Sequence, residues 1–321
     1  MTFARRVLGV LAVLIAALVG GAQAQSVDVG GRAYMDYFYN ISDPNPDVEG
    51  INGFQYRRLY LTTDYTLSDE FSGRARLEAP ENVGGGSGVK VKDLSLTWNY
   101  TGEHTATLGV TPPPLFGIAE GVWGYRSLEK SLMDAQGIAS SRDFGLRVDG
   151  PLWGDGVLRY AAMVANNTGT GVQERDKYKR VYGQLQARPT NRLLFVVGAG
   201  YRGAADSSGT RASLVAGYRG DSFRVGSEAY WYQSSQTGAD VTDVGANLFG
   251  IVEVASAWDV IARLDRTRRS FGGRDTYETR LVGGVAYQPH ANVKLIPNLI
   301  YSAEDQGNAT TTGRVTAEIH F

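Results

Sequence analysis

Sixteen short runs that alternate apolar and polar residues, joined by connections that are alternately short and long, constrain this chain more than any other feature. A period of two is what a strand shows when one face meets an apolar medium and the other meets water. The runs fall at about 29–41, 54–66, 71–79, 90–100, 104–111, 142–149, 157–166, 179–188, 193–202, 210–219, 222–233, 242–254, 258–267, 276–288, 291–302 and 312–321. Short connections stand at 67–70, 101–103, 151–156, 189–192, 220–221, 255–257 and 289–290. Long ones stand at 42–53, 80–89, 112–141, 167–178, 203–209, 234–241, 268–275 and 303–311. Tight turns at one end and longer loops at the other are the topology of a membrane-spanning up-and-down barrel. A soluble β-sandwich has no reason to keep that order.

The two faces of each run carry different chemistry. In the second run Leu59, Leu61, Thr63 and Tyr65 oppose Tyr56, Arg58, Tyr60, Thr62 and Asp64. In the tenth, Ala212, Leu214, Ala216 and Tyr218 oppose Arg211, Ser213 and Arg219. The polar faces hold too many charges for a packed core, so they suit a water-filled lumen. A barrel of sixteen to eighteen strands encloses such a channel, whereas eight strands are filled by their own side chains. The expected fold is therefore all-β: a transmembrane antiparallel barrel of about sixteen strands. Trp98, Tyr100, Tyr218, Trp231 and Tyr287 lie near strand ends, where aromatic girdles sit.

Residues 1–24 read as a secretory signal. Arg5 and Arg6 precede an apolar run at 7–20, and Ala22-Gln23-Ala24 makes a small-x-small cleavage site. The run is short for a membrane helix, which needs about 20 residues. That leaves 25–321 as a barrel domain destined for the bacterial outer membrane, with its lipid as one partner. The chain has no cysteine, which excludes disulfides and thiolate metal sites. Net charge is −1, or −3 once Arg5 and Arg6 are removed, and implies no nucleic-acid partner. The terminal run, RVTAEIHF, ends on Phe321 after clean alternation, like the recognition strand that outer-membrane assembly machinery handles.

Catalysis needs a nucleophile with a base, or an acid–base pair, inside the barrel. His104, His290 and His320 all fall at the short-turn end, and no hydrolase motif or phosphate-binding glycine loop stands out. Gly84-Gly85-Gly86 reads as outer-loop flexibility. The first loop, Asp43 to Gly50, sets oxygen ligands at alternate positions but lacks the full spacing of a calcium hand, so it reads as a solvated acidic loop. No catalytic residue, cofactor or metal is assigned.

One stretch breaks the alternation. Residues 111–141, TPPPLFGIAEGVWGYRSLEKSLMDAQGIASS, begin with three prolines that cannot continue a ladder. Arg126, Lys130 and Asp134 then recur every fourth residue, the spacing of one helix face. Leu128, Leu132 and Ala135 occupy another face, and Gly137 suits a C-cap. The spacing predicts a short helix over 127–136 in the third long loop, folded into the lumen. Its constriction would be built from Arg126, Glu129, Lys130, Asp134 and Arg142. Arg58, Arg74, Arg76, Arg147 and Arg159 fall on lumen-facing positions and form a basic track.

The strings LGVTPPPLFGIAE, YRSLEKSLMD and SSRDFGLRVDG, with GFQYRRLYLTTDY and GRARLEA before them, resemble the phosphate-selective porin O and P family. The resemblance implies a trimeric sixteen-stranded channel with inward-folded loops, lumen arginines and basic third-loop residues at Arg126 and Lys130. Two departures bear on selectivity. The chain is short for that family, and Asp36, Asp64, Glu78, Asp93, Asp149, Glu228, Glu253 and Glu278 are interleaved with the arginines. The expectation is an outer-membrane porin for passive diffusion of small hydrophilic solutes and ions through a loop-constricted pore. Phosphate or other anions would be favoured to the extent that the resemblance holds. Tyr34, Tyr56, Tyr60, Tyr182, Tyr230 and Tyr232 leave a sugar-selective channel as one alternative, and a non-porin barrel is the other.

Overall fold

A computed structural model describes residues 25–80, 88–115, 117–154, 156–236, 239–305 and 307–321. The signal segment and Gly84-Gly85-Gly86 lie outside the described residues. The strands are β1 (Ser26–Ser42), β2 (Asn52–Thr66), β3 (Phe71–Pro80), β4 (Lys90–Thr101), β5 (His104–Thr111), β6 (Asp143–Trp153), β7 (Leu158–Asn166) and β8 (Lys179–Ala187). They continue as β9 (Leu193–Gly203), β10 (Ser207–Arg219), β11 (Phe223–Gln236), β12 (Ala239–Ala255), β13 (Trp258–Phe271), β14 (Arg274–His290), β15 (Val293–Glu304) and β16 (Ala309–His320). Each is antiparallel to its sequence neighbours, and β1 pairs with β16 to close the barrel.

All sixteen expected strands are present, and the alternation decides which side chains meet lipid. Leu94, Leu96 and Trp98 of β4 and Leu214 of β10 project outward, while Arg211 and Ser213 are buried inside. The strands from β9 onward are longer than expected at the loop end. Of the long connections expected there, 203–209 and 268–275 are mostly strand, and β13 and β14 meet in a tight turn at Gly272-Gly273, with φ of +56° and +80°. Two successive positive φ angles are what a two-residue hairpin turn of type I′ requires, and glycine adopts them at little cost. The period-two contrast fades at these ends because both faces are polar: Arg266, Arg268, Arg269, Asp275 and Thr276 all belong to β13 or β14.

Two bulges change the expected facing. Tyr34 pairs with Arg58 and Met35 with Tyr56, so Arg57 is an extra residue in β2. Tyr56 consequently faces outward beside Met35 and Phe54, and does not line the lumen as the strict alternation predicted. In β4, Arg76 pairs with Asp93 and Leu77 with Val91, which makes Lys92 the extra residue. A bulge opposes two residues to one and re-aims the side chains it carries. Here each bulge sets two adjacent charged residues, Arg57-Arg58 and Lys92-Asp93, on the lumen side.

The inner wall is divided. From β9 to β15 it presents apolar side chains, among them Val196, Val215, Phe249, Ile251, Ile261 and Ile296, each under 5% exposed. From β1 to β6 it is polar. An apolar inner wall needs a cover, and the third loop supplies it.

Candidate functional site

The third loop leaves β5 at Thr111 and rejoins the wall at Asp143. It contains α1 (Gly117–Trp123) and α2 (Leu132–Ala135), and not the single helix expected over 127–136. Gly124, at φ +73°, ends α1. The following backbone oxygens bond to the wall and to the loop itself. Ser127 O accepts from Arg57, Lys130 O from Arg263 Nη1 at 2.6 Å, and Glu129 O from Trp123 Nε1 at 2.9 Å. Oxygens engaged this way are withdrawn from a helical ladder, so tertiary bonds override the local spacing. The C-terminal expectation stands. Gly137 takes φ +65°, with Gly137 N–H on Asp134 O and Ile138 N–H on Met133 O at 3.0 Å, a Schellman motif.

Knobs on the loop enter notches in the wall. Gly217 and Gly226 are cross-strand partners, and a Cβ on either would come within 3.0 Å of Val122. Leu115 lies over Gly198. Trp123 and Leu128 join Phe249, Ile251, Ile261 and Ile296 in one cluster, and Leu132 and Met133 join Tyr182 and Tyr230 in another. Leu128 and Leu132 thus press on the wall, as the sequence implies.

Polar tethers fix the loop's height. Glu228 accepts the N–H groups of Leu132 at 2.6 Å and Met133 at 3.3 Å. Ser127 Oγ donates to Glu318 at 2.6 Å, Gln136 to Glu278 at 3.1 Å, and the Tyr125 hydroxyl to Asp259. Burial raises the Tyr125 hydroxyl, and Asp259 raises it further, so it remains a donor. Glu129 pairs with Arg280 at 3.2 Å. Burial pushes the Glu129 carboxyl up, but Arg280, the Lys130 N–H and Arg263 outweigh it, and the net direction is down.

With the loop held against β7–β16, an open cavity of about 420 Å³ remains beside β1–β4. Arg32, Arg76, Lys92, Arg126 and Arg142 line it together with Asp64 and Glu120. On the wall, Arg58 and Lys92 share Glu78, while Arg76 shares Asp93 with Arg142, the last residue of the loop. Four cations on two carboxylates leave a surplus of two positive charges. On the loop, Arg126 pairs with Glu120 at 2.7 Å and Asp134 at 2.9 Å, one cation on two carboxylates. Burial raises the Glu120 carboxyl above its ordinary range and Asp134 adds to this, against Arg126. A net positive cluster around Glu78 and Asp93 therefore stands beside a net negative one around Arg126.

Of the five constriction candidates, Arg126, Asp134 and Arg142 stand by this opening. Glu129 turns to Arg280, and the Lys130 backbone oxygen bonds to Arg263 of β13; without a continuous helix over 126–134, the every-fourth spacing no longer sets Arg126, Lys130 and Asp134 on one helix face. In the basic track, Arg58 and Arg76 belong to the wall cluster, and Arg74 pairs with Asp64 at 2.6 Å below it. Arg147 pairs with Asp149, and Arg159 with Glu103 at 2.6 Å at the turn end. Every arginine of the track is ion-paired. Arg32, Arg57, Lys92 and Glu120 were not anticipated; the adjacent charges at 57–58 and 92–93 were the available signal for two of them. Asp43 and Asn45 spend side-chain oxygens on the N–H groups two residues on, which makes the first loop a pair of Asx turns.

The chain is an outer-membrane-type β-barrel of the porin fold. The outer-membrane protein OmpT of Vibrio cholerae, in a form lacking loop L8, superposes with a TM-score of 0.71 at 12% identity, over 92% of this chain and 99% of that one. An anion-selective porin from Comamonas acidovorans gives 0.70 at 13%, over 92% and 99%. The outer-membrane channel DcaP of Acinetobacter baumannii gives 0.64 at 11%, over 92% and 97%. No protein-family model and no curated sequence matches the chain. The likeness is one of fold, and it agrees with the porin architecture that the sequence resemblance implied.

Proposed function

We propose that the protein is a bacterial outer-membrane porin, giving passive passage to small hydrophilic solutes and ions, with a modest preference for anions. The observation that carries this reading is the division of the lumen. The third loop covers the apolar part of the wall and leaves a polar opening beside β1–β4 that is lined by charges of both signs. Selectivity then comes from width and fixed charge at close quarters. The surplus of two positive charges around Glu78 and Asp93, three of the four cations being on β2–β4 and the fourth being Arg142 at the end of the loop, supports an anion preference. The pairing of every track arginine supports general diffusion over strict phosphate selection, because oxyanion capture needs converging unpaired donors. The exposed Leu, Val and Phe side chains of the outer wall suit lipid or a second and third copy in a homotrimer. Phe321, 62% exposed at the end of the closing strand, is available to assembly machinery.

Reversal potentials across a planar bilayer in a potassium chloride gradient test the proposal. Anion preference that shrinks but keeps its sign with phosphate present is expected. Cation preference overturns the charge reading, and phosphate block at micromolar concentration would favour the phosphate-selective alternative. Absence of conductance overturns the porin reading itself.

A further inference from the structure

Below the opening, toward the short-turn end, another cavity of about 420 Å³ lies against β2–β6. Hydroxyls and ion pairs line it, and among the described residues Pro112 is the one side chain there without a polar group. No aromatic ring of the described residues reaches it. The lumen tyrosines that could serve a sugar are engaged elsewhere. Tyr60 lies under Arg76, and Tyr182 and Tyr230 donate to Asp143 and Asp243. A solute in this cavity is therefore held by hydrogen bonds and not by stacking.

Strand register sets the polar groups in rows. Ser72 of β3 lies opposite Thr97 of β4, Thr97 opposite Thr107 of β5, and Thr107 opposite Arg147 of β6. One level nearer the opening, Asp64, Arg74 and Ser95 are successive partners. One level nearer the turns, Thr105 partners Asp149. The period of two keeps all three rows on the lumen face.

The charges of these rows cancel. Arg74 holds Asp64 through Nε at 2.6 Å and Nη2 at 3.0 Å. Arg147 holds Asp149 through Nε and Nη2, and its Nη1 donates to Pro112 O at 3.1 Å. Arg142 and Asp93 form the upper rim and belong to the opening. An ion gains little from a wall neutralised in this way. The hydroxyls are less occupied. Thr97 and Thr107 bond to each other at 3.0 Å, but among the described residues the hydroxyls of Ser72, Ser95 and Thr105 have no protein partner. Each hydroxyl can donate one hydrogen bond and accept two.

We propose that this cavity is a recognition site for a neutral polyhydroxylated solute, a small sugar or sugar alcohol, held by Ser72, Ser95, Thr97, Thr105 and Thr107 between the Arg74–Asp64 and Arg147–Asp149 pairs. A solute of this class needs donors and acceptors side by side and no net charge. Each closed ion pair presents a guanidinium edge beside carboxylate lone pairs, and each hydroxyl offers both roles. Charged solutes are sorted at the opening, and neutral ones are retained beneath it. The site rests on the porin reading only in that solutes pass the opening to reach it.

Saturation-transfer NMR of the barrel folded in a detergent without a sugar headgroup tests this, with glucose as the ring probe and sorbitol as the open-chain one. Tetraethylene glycol, rich in ether acceptors and poor in hydroxyls, is the control. The wild-type protein is expected to give saturable transfer to at least one polyol and none to the glycol. Thr97→Val/Thr107→Val keeps the shape and strand preference, so folding should survive, as read by heat-modifiable mobility. It is expected to bind about fivefold or more weakly. Should it not fold, Ser72→Ala/Ser95→Ala removes two hydroxyls without enlarging a side chain and is expected to bind about threefold or more weakly. Lys92→Met, which alters the charge of the opening, is expected to change binding less than twofold. No transfer to either polyol, transfer to the glycol as strong as to the polyols, unchanged binding in the folded hydroxyl variants, or an equal loss in Lys92→Met overturns the site. Bilayer conductance of the same preparations separates the two readings: polyol binding without conductance sinks the porin and leaves the site.

Discussion

Single residues set the charge across the opening, and the two bulges decide which. Lys92 is inward only because β4 carries an extra residue, and it is one of four cations sharing Glu78 and Asp93. Arg57 is inward for the same reason, but Asp36 and Ser127 O take its donors. A unit charge at 4 Å contributes about 1 kcal/mol in water, or roughly fivefold in a permeability ratio. Lys92→Met should lower the anion-to-cation ratio by up to about that factor. Arg57→Met should leave the ratio nearly unchanged and increase current noise, since it frees the loop. Equal shifts from both in reversal-potential measurements would refute the assignment.

Glu120 gives the opening a pH dependence. Its folded-state carboxyl is raised above the ordinary 4.5, chiefly by burial. Protonation therefore begins above pH 4.5, and anion preference should rise as the pH falls through that range, because Arg126 loses one of its two carboxylates. Stability follows the same sign: a raised carboxyl adds stability as the pH falls, with the full effect below 4.5. Glu129 is lowered, so the stability it contributes is present above 4.5 and lost further down. Glu120→Gln should flatten the selectivity profile between neutrality and pH 4.5; a profile unchanged by that substitution would point to another titrating group.

The third loop, as an element, was half legible. Its proline entry, its leucine face and its Gly137 cap could be read from the chain, and each is in place. Its helix could not, because the backbone oxygens of Ser127, Glu129 and Lys130 go to Arg57, Trp123 and Arg263, two of them distant in sequence. The wall it covers did leave a trace. Inward positions such as Ile261, Ile296 and Ile300 are apolar as well as their outward neighbours Val260, Leu295 and Leu299, as expected where lipid lies outside and a loop inside. Two substitutions test the fit. Gly217→Leu should collide with Val122, since even a Cβ would stand 2.8 Å away, and overpacking of this kind costs about 1–3 kcal/mol. Single-channel conductance should change, and Val122→Ala in the same chain should restore it. Glu228→Leu leaves two buried N–H groups unpaired, at about 1–3 kcal/mol each. Hydrogen exchange at Leu132 and Met133 should accelerate by more than tenfold; unchanged protection would mean that the apolar contacts hold the loop alone.

At the scale of the whole molecule, the barrel is a ring that must close between its first and last strands. The alternation showed that both were strands; it could not show their register, which a one-residue slip would reverse in facing. The structure fixes it. Phe321 and Gly31 exchange backbone hydrogen bonds of 2.6 and 3.1 Å, and the Phe321 ring occupies the space a Cβ on Gly31 would take. From there Ala33 pairs with Ile319 and Met35 with Ala317 up the seam. The natural chain has no cysteine, so an engineered pair reports on one contact only. Direct antiparallel partners have Cα atoms about 4.5–5.5 Å apart, inside the range that a disulfide spans. Ala33→Cys/Ile319→Cys should therefore cross-link on oxidation and lock the ring, so that the barrel keeps its compact electrophoretic mobility when heated in detergent. A register displaced by one residue predicts the opposite pattern: no cross-link here, and efficient closure for Ala33→Cys/His320→Cys or Ala33→Cys/Glu318→Cys.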